Sequence, residues 1–183
     1  MGTNYFGHFY LTHQLLDLLK NGGTKEDPSR IISTTSFGHI IGDLRPDLLD
    51  CNANQKRYDP LYQYCSSKMA IMHWTNRLAR KLKKVNVISL TVNPGLVRTT
   101  TFLNQMPKRE KYLMTILGYI LGKNCHQGAQ SLIHASLTTN LRINGMNMAD
   151  CREERIFKST QLGSAAIEET LFDYTTDLLN HLV

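Results

Sequence analysis

The 183-residue chain has no paired cysteine spacing, no block of like charge, no long apolar run and no glycine-rich loop. Each absence removes a class of function. The four cysteines, Cys51, Cys65, Cys125 and Cys151, lie far apart, which argues against a disulfide framework or a paired-cysteine metal centre. A reducing, intracellular setting is the expectation. The seven histidines are scattered too, and His8 and His13 are spaced wrongly for two ligands on one helix face, so no metal is expected. Net charge is +6, but the basic residues are dispersed and no nucleic-acid partner is expected. The densest group, Arg77, Arg80, Lys81, Lys83 and Lys84, reads as a solvated helix end whose cations complement the helix dipole. The longest apolar run, Tyr112 to Leu121, is about half of what a membrane-spanning helix needs. The first residues carry neither the basic nor the apolar region of a cleavable signal.

What is present reads as an ordinary globular domain, 42% hydrophobic and 20% charged. Phe6, Phe9, Leu16 and Leu19 fall near helical spacing and predict a helix over Asn4 to Lys20, stopped by Gly22-Gly23. The β-branched run Arg30 to Thr35 predicts a buried strand. An irregular stretch from Gly38 to Pro60 follows, then a long helix over Leu61 to Lys84 with Ile71, Trp74, Leu78 and Leu82 on one face. Val85 to Val92 reads as a second buried strand ended by Asn93-Pro94-Gly95. Residues 99–123 look like an insertion with an apolar helix inside it. A helix over His126 to Leu137, a short strand at Met146 to Met148 and a closing helix over Ala165 to Leu182 complete the pattern. Helices alternating with short apolar strands predict an α/β domain built on a parallel sheet.

The sharpest chemical feature is Tyr64-Cys65-Ser66-Ser67-Lys68. Four residues apart on a helix, the phenol and the ammonium share a face. A cation ~5 Å from a phenolate at an effective dielectric of ~20 contributes roughly 3 kcal/mol, enough to lower a tyrosine by about two pKa units. A tyrosine so tuned can give a proton to a carbonyl oxygen or take one from an alcohol. The spacing alone is weak, because Tyr119 and Lys123 repeat it. Context separates the two pairs. Tyr64 follows a strand that ends in Thr35-Ser36 and precedes one that ends in Asn93-Pro94-Gly95. Ligands of open α/β sheets gather at the carboxyl ends of strands, where Ser36 can bind a substrate oxygen and Gly95 admits close approach.

In this order the chain resembles the short-chain dehydrogenases/reductases, in particular their retinol dehydrogenase-like branch. The resemblance rests on Asn4-Tyr5-Phe6-Gly7-His8-Phe9 with Leu11-Thr12, on Arg30-Ile31-Ile32-Ser33-Thr34-Thr35-Ser36, and on Tyr64 to Lys68. It continues through Asn93-Pro94-Gly95-Leu96-Val97-Arg98-Thr99 and Gln127-Gly128-Ala129-Gln130, with a weaker match at Asn144-Gly145 and Asp150-Cys151. The resemblance implies that Tyr64 is the acid/base, that Lys68 lowers its pKa and binds the nicotinamide ribose, and that Ser36 holds the substrate oxygen. Asn4 would anchor a water in a proton relay with Lys68. Pro94, Gly95 and Thr99 would line the nicotinamide side of an NAD(P) cofactor, NADP slightly preferred. The substrate implied is a small lipophilic alcohol or carbonyl compound, covered by residues 100–123 with Phe102, Leu103, Tyr112, Leu113, Ile116 and Leu117. Helix packing explains these apolar residues about as well. Two departures from the family pattern stand out: a long interval between Ser36 and Tyr64 that contains competing tyrosines, and Asn93 where relatives often carry His.

The family's glycine-rich phosphate loop has no counterpart here, since Gly22-Gly23 follows a helix rather than preceding one. The fold expected over 1–183 is therefore one incomplete domain: the C-terminal part of a Rossmann-type doubly wound parallel sheet, with its first four strands missing and three parallel strands remaining. The strand Arg30 to Thr35 would then expose an edge. Such a chain reads either as a fragment of an oxidoreductase or as an inactive product acting as a binding partner, in a homodimer or paired with a full-length relative. An unstable fragment with no activity is the third reading. The expected location is cytoplasmic or on the cytoplasmic face of a membrane. Without the phosphate loop, this polypeptide is expected to bind either nicotinamide dinucleotide weakly or not at all; a micromolar affinity by fluorescence titration of the purified chain would refute this.

Overall fold

Every residue of Val87–Asn93 is buried, and this strand, β2, lies inside a sheet of order β1-β2-β3-β4 in a computed structural model that describes residues 1–44, 59–98, 108–154 and 164–181. Strand β1 (Ser29–Thr34) pairs with β2 in parallel, from Ser29 opposite Val87 to Thr34 opposite Val92. Strand β3 (Asn147–Ala149) continues the parallel order on the other side. A two-residue strand, β4 (Arg152–Glu153), turns back antiparallel to β3. The three parallel strands match the expectation; β4 is too short to carry a sequence period. Its hairpin turn, Asp150-Cys151, has φ of 51° and 59° without a glycine at either place. Strand β1 is the edge of this sheet.

Both faces of the sheet are covered, which is the doubly wound arrangement the alternation of helices and strands predicts. Ile88, Leu90 and Val92 pack with Ala135 of helix α4 (Cys125–Leu137). On the opposite face Val87 and Ile31 pack with Leu82 and, around them, with Leu16, Leu19 and Leu78. Those residues belong to α1 (Gly7–Gly22) and to α2 (Pro60–Lys81) with its cap. Asp59 starts α2 by accepting a 2.9 Å hydrogen bond from the Tyr62 amide, and Pro60 sits at the first helical position, where no amide donor is needed. Helix α4 starts on a reciprocal capping box between Asn124 and Gln127. Helix α3 (Lys108–Leu121) lies between β2 and α4 in sequence. No helix of the described residues is long and apolar enough to cross a membrane.

An aromatic cluster fixes α2 against its neighbours. Phe9 lies 5.7 Å from both Trp74 and Phe172, and Tyr5 meets Trp74 edge-on at 6.4 Å. Each such side chain taken out of water contributes roughly 1.5–3 kcal/mol. Phe172 belongs to α5 (Ala165–Asn180), which lies along α2. Arg80, Lys81, Lys83 and Lys84 are exposed, as expected of a solvated helix end, but the two arginines of this group also make ion pairs. Arg77 stacks 4.0 Å from the Phe172 ring and pairs with Glu169, while Arg80 pairs with the buried Glu168. Both arginines bind α5, Arg77 nearly buried and Arg80 with its side chain 59% exposed.

His73, fully buried on α2, lies beside this pair, with its Nδ1 3.7 Å from Glu168 Oε1. Neither ring nitrogen has a hydrogen-bond partner among the described residues. Burial, then the charge of Arg80, holds the imidazole down at about 4, and the Glu168 carboxylate does not reverse this because Arg80 already engages it. The unfolded chain binds a proton near pH 6.5 that the folded chain refuses until about pH 4. Stability is therefore full above pH 6.5 and falls as pH drops toward 4, by a few kcal/mol at ~1.4 kcal/mol per unit. Urea unfolding at pH 7.5 and 5 should show this slope, and His73→Leu should flatten it.

Candidate active site

The parallel register of β1 and β2 brings two chain reversals side by side. Thr34 lies opposite Val92, and the Thr35 amide still donates to the Val92 carbonyl at 2.9 Å. Ser36 and Pro94, each two residues further on, thus leave the same end of adjacent strands. Ser36 caps a short 3-10 turn, Phe37–Ile41, by accepting from the Gly38 amide at 3.3 Å. His39, fully buried in that turn, bonds back to the Ser36 carbonyl at 2.5 Å.

Two glycines press this turn onto α2. A Cβ at Gly38 would lie 2.9 Å from Cys65 Sγ and 3.5 Å from the Tyr64 ring. A Cβ at Gly42 would meet the Cys65 carbonyl oxygen at 2.7 Å. The Asp43 amide adds a 3.1 Å bond to Ser66 Oγ. This contact places the Ser36 side chain in hydrogen bond with the Tyr64 side chain.

Lys68 lies one turn along α2, its ammonium 5.6 Å from the centre of the Tyr64 ring and 3.0 Å from the Thr34 carbonyl oxygen. The Thr35 hydroxyl returns a 3.3 Å bond to the Lys68 carbonyl. Burial pushes the Tyr64 phenol above its ordinary pKa; the Ser36 bond works the other way and Cys65 adds to the rise. Burial also lowers Lys68. The expectation that Lys68 lowers Tyr64 is therefore outweighed here, because desolvation favours the neutral form of both groups.

Asn4 sits in a π-helical turn, Gly2–Phe6, ahead of α1, where sequence spacing predicts plain α-helix. Its side chain donates to Ser67 Oγ at 3.1 Å, and Ser67 donates to the Tyr64 carbonyl at 2.7 Å. Asn4 is thus tied to the Tyr64 turn through Ser67. Pro94 and Gly95 are half-buried at the end of β2. Gly95 has φ +79°, which favours glycine, and its amide donates to Asn93 Oδ1 at 3.0 Å. Thr99, Phe102 and Leu103 lie outside the described residues, as does the Leu113 side chain.

The sequence is 34% identical to human retinol dehydrogenase 11 over 98% of this chain and 53% of that protein. It is 32% identical to mouse retinol dehydrogenase 12 over 97% of this chain and 53% of that protein. With human retinol dehydrogenase 14 it shares 33% over 90% and 48%. The chain spans about half the length of the curated relatives it matches. Among solved structures, an uncharacterised protein from Mycobacterium paratuberculosis superposes with TM-score 0.65 at 21% identity, over 97% of this chain and 57% of that one. A 3-oxoacyl-[acyl-carrier protein] reductase from Brucella melitensis gives 0.55 at 17%, over 80% and 48%. These two show a shared fold. No family model matches the chain.

Over nearly its whole length the chain is similar to retinol dehydrogenases.

The second tyrosine–lysine pair separates cleanly from the first. Helix α3 ends at Leu121, so Tyr119, which is 81% exposed, and Lys123 do not share a helix face. Lys123 instead pairs with Asp150, and its side chain fills the space a Cβ would take at Gly95, 3.0 Å from Nζ. Gly128 of the Gln127–Gln130 motif lies against Val97, where a Cβ would approach Cγ2 at 2.5 Å. Among the described residues no cluster of three or more metal-ligating side chains occurs. Sequence reasoning missed Gly38, Gly42 and Ser67. The two glycines four apart after a strand were the available signal for close backbone approach.

Gly42→Ala should force apart two backbones that cannot yield, lowering stability by about 1–3 kcal/mol in urea unfolding. Gly38→Ala, which meets a side-chain sulfur, should cost less.

Proposed function

We propose that the protein is an NAD(P)-dependent oxidoreductase acting on a small lipophilic alcohol or carbonyl compound. The observation that carries this reading is the hydrogen-bonded Ser36–Tyr64 pair, with Lys68 alongside, at the carboxyl end of β1 and next to the Pro94–Gly95 turn. The retinol dehydrogenases that share its sequence support the reaction class.

The residues fit a nicotinamide cofactor. Gly95 supplies the positive-φ turn at the end of β2, and among the described residues the Lys68 ammonium spends one of its three donors on Thr34, which leaves others for ribose hydroxyls. When bound, the nicotinamide supplies the hydride chemistry. Ser36 holds the substrate oxygen beside the Tyr64 hydroxyl. Burial keeps Tyr64 protonated, so it is ready to donate a proton to a carbonyl oxygen; in the alcohol direction it receives that proton back. Lys68 favours the phenolate at the moment of transfer. Asn4 steadies the Tyr64 turn through Ser67. NADP is the preferred form in this reading. The exposed Tyr112, Ile116 and Leu117 of α3 suit a lipophilic substrate.

Tyr64→Phe tests the assignment in the protein isolated at the length its source makes. Turnover should fall by about 10²–10⁴-fold while dinucleotide affinity holds. Unchanged turnover would remove Tyr64 from the chemistry.

A further inference from the structure

Beneath the Pro94–Gly95 turn lies a buried carboxylate that no step of the proposed reaction uses. Glu154, which follows β4, is 8% exposed, and among the described residues no Lys, Arg or His pairs with it. Its partners are two amides. Glu154 Oε2 accepts from Asn93 Nδ2 at 3.3 Å and from Asn147 Nδ2 at 2.7 Å. The far end of each amide is also engaged. Asn93 Oδ1 accepts from the Gly95 amide at 3.0 Å, and Asn147 Oδ1 accepts from the Thr91 hydroxyl at 3.0 Å. Apart from the Thr91 hydroxyl, which can donate or accept, every link in this chain has one polarity. A carboxylate offers only acceptors, so both asparagines must turn their NH2 groups toward it. Their oxygens then face away, and that of Asn93 meets the Gly95 N–H. Were the Asn93 amide reversed, its NH2 would confront that N–H, donor against donor, in a position with no exposure to water.

We propose that Glu154 is a positioning residue: by fixing the orientation of the Asn93 amide, it holds the Gly95 N–H and sets the turn that lines the nicotinamide side of the site. This rests on the reading of the site given above. It also gives Asn93 a defined task beyond ending β2.

Glu154→Gln tests it in the full 183-residue chain by amide hydrogen exchange. The introduced glutamine has the shape of glutamate but can present a donor to Asn93, so the amide loses its enforced direction. Gly95 exchange should speed up about tenfold, the loss of one hydrogen bond, while Leu90 and Val92 stay protected. The reversed pair, Asn93→Asp with Glu154→Gln, keeps the charge and the shapes. The introduced aspartate accepts from both Gly95 and the introduced glutamine, and Asn147 can turn its oxygen to the glutamine NH2 and its own NH2 to the Thr91 hydroxyl, so Gly95 protection should return. Unchanged Gly95 exchange in E154Q would overturn the proposal. Equal loss of protection across β2, or no recovery in the reversed pair, would do the same, since either means that Glu154 supports the sheet in general. The readout needs no cofactor. Turnover unchanged by Tyr64→Phe would count against the oxidoreductase reading, while the Gly95 response would still establish the positioning role.

Discussion

The parallel pairing of β1 with β2 is the constraint on which the remaining geometry depends. Six consecutive register pairs hold the two strands in step, so their carboxyl ends finish together and the chain must leave the sheet twice at one place. One exit is the Ser36 turn and the other is Pro94–Gly95. A slip of one residue would turn Ile88, Leu90 and Val92 away from α4, which makes the register expensive to change. The site thus inherits its precision from apolar packing some distance beneath it.

Helix α2 supplies the third component, and its placement is secured at both ends. Trp74 anchors it among the aromatic rings of α1 and α5, while Gly38 and Gly42 let the Ser36 turn rest on its first half. Between these contacts α2 carries an unusual load of buried polar groups: Ser66, Ser67, His73 and Thr75. Ser66 and Ser67 are hydrogen-bonded into the surroundings of the site, whereas the His73 ring has no hydrogen bond among the described residues. Polar burial near Tyr64 is organised, and further along the helix it costs stability.

Features that repeat in sequence were legible there. The three parallel strands, the long helices and the local Tyr64-to-Lys68 spacing announce themselves through period and order, and the strands' shared direction already places Ser36 beside Pro94. Features that depend on what lies across a gap were not. Nothing near Arg77 or Arg80 shows that Glu168 and Glu169 will arrive from α5, so the basic group reads as solvated. The π-helical turn around Asn4 has no periodic signature. The balance of burial against charge at Tyr64 requires depth, which spacing does not report. Asn93 reads as a strand stop because its partner, Glu154, stands 61 residues away in the chain.

The Asp150–Cys151 hairpin gives this last point an energetic side. Two successive non-glycine residues with positive φ cost roughly 1–3 kcal/mol each, where an Asn-Gly turn would relieve most of it. The turn persists because Asp150 is held by Lys123 and the Cys151 amide by Ser131, at 3.0 Å. Strand β4, two residues long, therefore leans on tertiary ties rather than on its own ladder. With only two paired residues it is the strand of this sheet expected to open first, and Glu154, the next residue, would leave with it. The rigidity of the Pro94–Gly95 turn is thus only as lasting as the closed lifetime of the smallest strand in the molecule.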